Sequence, residues 1–219
     1  MPKPIQLRVF GDYALFSRPE LKVERYSYDV ITPSAARGIL DAIYYHPGLK
    51  WKIHRIYVER PIHFTNVRRN EVDRKILASD LLSAANGAAE PIYINRRDSI
   101  QQRASTILRD VSYVIEANFV LIPEKLEQGD NEDKFFAIFS NRARRGRCFT
   151  QPYFGCREFP ASFALVTEKN PPRPIRESRD LGIMLYDMDF SDEENIRPMF
   201  FHAEMIDGMV DVAGKEVLR

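Results

Sequence analysis

The chain is predicted to be α+β, with a ferredoxin-like N-terminal domain (residues 1–144) and a small C-terminal antiparallel β domain (145–219). Three observations carry this. Apolar and polar residues alternate over Ile5–Phe10 and again over Trp51–Glu59, the period-two pattern of half-buried strands. Between them Thr32 precedes Pro33, a hydroxyl to cap a first helical turn and a proline at the first helical position. Beyond residue 145 the apolar runs are short and separated by proline and acidic loops, as in a chain of brief strands.

Taken in order, Ile5–Phe10 is the first strand, and Gly11 and Asp12 are expected to break it. Tyr13–Phe16 either continues it past a bulge or opens a loop ending at Pro19. Tyr26, Tyr28, Val30 and Thr32 have period two and predict a short extended run. The helix from Pro33 to about Tyr45 places Ala36, Ile39, Leu40 and Ile43 on one stripe, and Pro47 with Gly48 ends it. Trp51–Glu59 is expected to pair as a hairpin with Ile62–Val67 across Pro61. This β-α-β-β order opens a ferredoxin-like unit of the RNA-recognition-motif type. Asp73–Ala85 reads as helix with Ile76, Leu77, Leu81 and Leu82 apolar, and Asn95–Gln102 as loop. Thr106–Ile122 is long and β-rich and is expected to supply the last sheet strand, and Asp130–Ala143 a second amphipathic helix ended by a turn at Gly146. Ser162–Val166, Ile183–Tyr186 and Met199–Met205 are the short strands of a smaller β domain or β extension beginning near Arg145.

A hydrophobic content of 44% over 219 residues supports a real core. The N-terminal residues lack the apolar centre of a signal peptide, and no apolar run approaches the ~20 residues of a membrane span, so a cytoplasmic protein is expected. Cys148 and Cys156 have no further cysteine or nearby histidine to complete a metal site and read as reduced thiols. The net charge of +1 conceals an asymmetry. From Glu177 onward eleven acids face four bases, so the preceding chain is basic and the tail is acidic. Such a chain can present a cationic groove on one side and meet a partner protein with the other.

The cationic part is concentrated in Lys134–Phe159, where Lys134, Arg142, Arg144, Arg145, Arg147 and Arg157 lie among aromatics and glycines with Glu158 the only acid. Guanidinium groups neutralise phosphates, and Tyr153, Phe154 and arginine planes can accept stacked bases, which points to single-stranded RNA. The RNA-binding candidates are Arg142, Arg144, Arg145, Arg147, Tyr153 and Arg157, joined by Arg68 and Arg69.

Four blocks, FGDYALFSRPE (10–20), TPSAARGILDAIYYHP (32–47), IHRIYVERPIHFTNVRRNEV (53–72) and RRGRCFTQPYFGCREFP (144–160), together resemble the type I-C branch (subtype d) of the fifth family of CRISPR-associated proteins, in the RAMP superfamily. The resemblance implies an RNA-recognition-like N-terminal domain followed by a small β-sheet domain. It implies cleavage of the CRISPR precursor transcript within each repeat, with no metal or other cofactor. It further implies retention of the repeat-derived 5′ end in a surveillance complex, with the complex's backbone and large subunits as partners. The family chemistry is carried by a tyrosine in a G-I-x-x-x-I-Y context, matched by Gly38, Ile39, Ile43 and Tyr44, and by a lysine-histidine pair. Lys134 fits the lysine; the next position is Phe135 in place of histidine.

RNA can be cut without metal when its 2′-hydroxyl is aligned with the adjacent phosphorus, provided that the developing charge and the leaving 5′-oxygen are served. Lys134 is a compact donor suited to that charge. Tyr44 would orient the 2′-hydroxyl, positioning being its main contribution because a phenol of reference pKa ~10 is a poor free base. His46, two residues on, is placed to supply the imidazole function. A guide-RNA cap without catalysis is the rival expectation, and a plain interaction domain a third. No phosphate-binding glycine loop occurs and the four histidines lack metal-ligand spacing. Asp187 and Asp189 share a strand face; a solvated or partner-facing surface is the expectation for them.

Overall fold

The computed structural model describes residues 4–21, 24–87, 92–95, 97–192 and 194–218. In chain order the elements are β1 (Ile5–Ala14), β2 (Arg25–Tyr26), α1 (Pro33–Ile43), β3 (Leu49–Val58), β4 (His63–Val72), α2 (Ala78–Ala85), β5 (Ile100–Leu121), α3 (Glu132–Arg144), β6 (Ser162–Leu165), β7 (Arg179–Asp189), β8 (Arg197–Ile206) and β9 (Met209–Asp211). The result is a mixed α/β fold dominated by one largely antiparallel sheet in the order β6-β1-β5-β3-β9-β8-β7, with β2 and β4 also paired to β5. No helix among the described residues is long and apolar enough to cross a membrane.

The period-two segments become strands whose apolar residues face the helices. Leu7 and Val9 of β1, Ile56 and Val58 of β3, and Val111, Tyr113, Ile115 and Ala117 of β5 are buried with Ala36, Ile39, Leu40 and Ile43 of α1. The Thr32 side chain accepts a hydrogen bond from the Ala35 backbone N–H at 3.2 Å, the cap expected of it. Phe135 and Phe139 of α3 are fully buried, and Trp51 packs its ring 4.7 Å from Phe139 and 5.3 Å from Phe119.

Several expectations are corrected. Gly11 and Asp12 do not break β1, which pairs with β5 from Ile5↔Ala117 to Ala14↔Leu108. A Cβ at Gly11 would lie 3.0 Å from both the Phe154 ring and the Pro160 carbonyl, so this glycine lets the 154–160 loop cross the strand. Strands β3 and β4 form no hairpin with each other. Both pair with the 22-residue β5, β3 along 113–121 and β4 along 100–109. Alternation specifies which face of a strand is buried and leaves its partner open. Here β9 takes the other edge of β3 at Arg55–Tyr57, while β5 is long enough to serve both β3 and β4. The strand expected to be last is thus the centre of the sheet, starting within the expected 95–102 loop, of which residue 96 lies outside the described residues. Helix α1 stops at Ile43, and α2 is shorter than expected, with none of its residues buried. The C-terminal strands extend the same sheet: β6 pairs with β1, and β9 joins β3 to β8.

Candidate functional site

The end of α1 and the start of α3 bring together residues about 90 positions apart in sequence. Tyr44 is the C-cap of α1, its backbone N–H donating to the Leu40 carbonyl. Across from it, the Asn131 side chain caps α3 by accepting from the Lys134 N–H at 2.8 Å. Asp130, just before that cap, is the hub. Its Oδ1 accepts from Lys134 Nζ at 2.9 Å and its Oδ2 from the Glu127 N–H at 2.9 Å, with His46 Nε2 3.4 Å from Oδ2. The other imidazole nitrogen, Nδ1, accepts from the Gly48 N–H at 3.1 Å, so Nε2 is the nitrogen that carries the hydrogen toward Asp130.

Phe135 fills the space beneath these groups, its ring 6.0 Å from Tyr44 and 4.7 Å from His46. On the far side, Arg142 lies 5.1 Å over the Tyr44 ring and donates through Nη1 to the Ile43 carbonyl at 2.9 Å. Burial raises the Tyr44 phenol pKa and Asp130 adds to the rise, while Lys134 and Arg142 pull against them. The Lys134 pKa is raised, chiefly by its hydrogen bond to Asp130, and that of Asp130 is lowered by the same bond. Lys134 therefore stands at neutral pH as a half-exposed ammonium beside a phenol that keeps its proton.

The basic candidates separate by environment. Arg144, the last residue of α3, and Arg145 and Arg147 after it are exposed, and no carboxylate pairs with any of the three among the described residues. Gly146 turns the chain between them with φ +63°. Tyr153, Arg157 and Arg68 are exposed as well. Arg69 is committed within the fold: it pairs with Glu158 and lies 5.2 Å over the Phe159 ring, holding the 153–160 loop against β4.

Comparison with known proteins decides the family. The Cas5d family model, described as CRISPR-associated protein (Cas_Cas5), matches residues 5–213. The chain belongs to the Cas5d family. It is 48% identical over 219 residues, covering 97% of this chain and 96% of the relative, to a Cas5d protein of Mannheimia succiniciproducens named CRISPR pre-crRNA endoribonuclease. A solved structure titled as that of a CRISPR-associated protein shares the Cas5d fold seen here, with a TM-score of 0.70 at 22% identity and coverage of 99% of this chain and 97% of that one. A chain of a CRISPR RNA-guided surveillance complex has a TM-score of 0.50 at 12% identity, covering 99% of this chain and 89% of that one.

In this Cas5d protein, Tyr44, His46, Lys134 and Arg142 come together, while the fold assigns Arg69 to an internal ion pair. Asp130, which organises Lys134 and His46, is expected from the sequence only as the start of a helix and not as a site residue; its position four residues before Lys134 is the signal that could have found it. The departure at Phe135 also has a location. Successive helical residues diverge by about 100°, so the residue after half-exposed Lys134 turns into the core, where Phe135 is fully buried. Asp187 does not present a free carboxylate, because Arg37 holds it through two hydrogen bonds at 2.9 and 3.0 Å. Among the described residues no group of three or more His, Cys, Asp or Glu is placed to hold a metal ion.

Proposed function

We propose that this Cas5d protein is an endoribonuclease that cuts precursor CRISPR RNA within the repeat and then holds the 5′ repeat-derived tag as a subunit of a type I-C surveillance complex. The observation that carries the reading is the convergence of Tyr44, Lys134 and Arg142 on one surface beside exposed, unpaired arginines, in a chain 48% identical to a relative named as a pre-crRNA endoribonuclease. The 2′-oxygen gives up its proton to solvent water as it attacks the neighbouring phosphorus, an O2′–P bond forms and the P–O5′ bond breaks with a proton delivered to O5′, leaving a 2′,3′-cyclic phosphate and a 5′-hydroxyl. Tyr44 orients the 2′-hydroxyl. Lys134 and Arg142 meet the charge that grows on the phosphate oxygens, and Lys134, a protonated donor, serves the leaving oxygen. His46 holds Asp130, and so Lys134, in place through the Nε2 contact. Arg144, Arg145 and Arg147 neutralise phosphates on either side of the cut, joined by Arg68, Arg157 and Tyr153.

The order β6-β1-β5-β3 with α1 and α3 supports a ferredoxin-like description of the unit that carries this site, residues 145–219 extending its sheet. The subunit works in the cytoplasm beside the complex's backbone and large subunits. A non-catalytic guide-RNA cap is the second reading, favoured by Phe135 standing where the family pattern has histidine. Incubating the purified protein and EDTA with labelled repeat RNAs decides between them. A product with a 2′,3′-cyclic phosphate and a 5′-hydroxyl supports the nuclease; tight binding of intact RNA supports the cap.

A further inference from the structure

On the face of α1 away from the core, a separate cleft of about 530 Å³ opens between the helix and the 149–155 loop, within the size range of small-ligand pockets. Ser34, Gly38 and Asp41 of α1, with Tyr45 just beyond its C-cap, form one wall, and Phe149 and Tyr153 stand on the opposite rim. We propose that this cleft takes one nucleobase splayed out of the bound RNA, stacked on Tyr45 and Phe149. The proposal rests on the RNA-processing reading above.

Four observations identify the occupant. First, the aromatic walls are exposed, Phe149 by 75%, Tyr45 by 61% and Tyr153 by 41%, which leaves large apolar surface in water unless something planar covers it. Second, the exposure is held in place. The Phe149 and Thr150 N–H groups both donate to the Ala42 carbonyl, at 2.9 and 3.0 Å, pinning the rim to the last turn of α1. Third, Gly38 lies inside a helix, where glycine is less favourable than alanine, yet a Cβ built there meets nothing within 4 Å. Packing within the protein does not call for this glycine, and its lack of a side chain keeps this part of the cleft wall open. Fourth, unpaired Arg144, Arg145 and Arg147 lead directly into Phe149, so the charge beside the cleft suits a polyanion whose bases it receives.

Asp41 adds selectivity. Its Oδ2 accepts from Arg37 at 2.7 Å, and among the described residues Oδ1 has no hydrogen-bond partner. A carboxylate lining the cleft favours a base that offers an amino or ring N–H donor there.

The test uses the full-length protein and a repeat RNA that it cuts, with the 2′-hydroxyl at the cut site replaced by hydrogen so that binding is read alone. Single abasic nucleotides are walked along this RNA against wild type, Tyr45→Ala and Phe149→Ala. Loss of one stacked base is expected to weaken wild-type binding by about 5- to 150-fold, the equivalent of ~1–3 kcal/mol. At the one position that occupies the cleft, the same abasic change should leave the two aromatic variants almost unaffected. Gly38→Leu, which fills the cleft without removing an aromatic or a charge, should reproduce the loss, and circular dichroism should show all three variants folded. Abasic and protein changes that combine independently at every position, with the unmodified repeat RNA still cut by the variants, would overturn the base pocket and leave the nuclease reading standing. A wild-type protein that binds no repeat RNA would overturn both.

Discussion

At Tyr44 a single atom separates chemistry from packing. The ring is buried against Phe135 and under Arg142, contacts that phenylalanine would keep, and the hydroxyl is the one group that the change to phenylalanine removes. Tyr44→Phe should therefore keep the fold and RNA affinity while lowering single-turnover cleavage at least ~10-fold, or about 1.4 kcal/mol of barrier; cutting at the wild-type rate would reduce Tyr44 to a packing residue. Asp130→Asn removes the carboxylate that raises both the Lys134 ammonium and the Tyr44 phenol pKa, so both titrate at lower pH in the variant. The cleavage pH-rate profile should move as a whole toward acid. A neutral-range inflection lost in His46→Ala would instead make the imidazole a proton carrier. For the ion pair itself the signs are fixed. Asp130, its pKa lowered, contributes above the unfolded carboxylate value and loses that contribution as pH falls through the folded one; Lys134, its pKa raised, contributes below the unfolded lysine value and loses that contribution as pH rises through the folded one. Phe135→His would put an imidazole into a fully buried site, so the expected result in urea unfolding is a loss of about 2 kcal/mol or more, with no gain in cutting.

Among the elements, α1 and the 149–160 loop set the geometry of both faces of the site. Thr32→Ala removes the α1 cap and should lower stability by about 1 kcal/mol at unchanged denaturant slope. The loop depends on Gly155, whose φ is +77° and where a Cβ would lie 1.9 Å from the Leu15 carbonyl oxygen. Alanine there must displace either the loop or the end of β1. Gly155→Ala should accordingly weaken RNA binding together with stability, while Thr32→Ala lowers stability with much less effect on binding. The helical segments are legible because caps and apolar stripes are local: Thr32 caps α1 as expected, while Asn131, which lies inside the expected 130–143 helix, proves to be the cap of α3. The pairing of β3 and β4 was not legible, since the same alternation fits a hairpin and a shared partner equally well.

Over the whole molecule, the small net charge divides into an exposed cluster after α3 and acids that the C-terminal strands carry, several of them already engaged, as Asp187 with Arg37 and Glu204 with Lys215. Replacing Arg144, Arg145 and Arg147 together with Ala should weaken RNA binding and reduce the log-log salt slope by up to about two, since each phosphate contact to a single strand contributes about 0.7. An unchanged slope would assign the cluster to solvent. The same measurement on Arg69→Ala should show a smaller change in slope, because that guanidinium is spent on Glu158 and Phe159.

The sequence by itself determined whatever depends on neighbours a few residues apart: the strand faces, the Thr32 cap, the buried stripe of α1, the cationic run, and the blocks that carry the family resemblance. Tertiary structure decided what depends on residues far apart. It made β5 the shared partner of β1, β3 and β4 and turned Phe135 inward. It also placed Asp130 against His46, 84 positions earlier in the chain, and built the cleft between Gly38 and Phe149. The physical reason is that caps and alternation are satisfied within a turn or a strand, whereas a carboxylate selects among distant cations only after the sheet has fixed which of them lie within hydrogen-bonding distance.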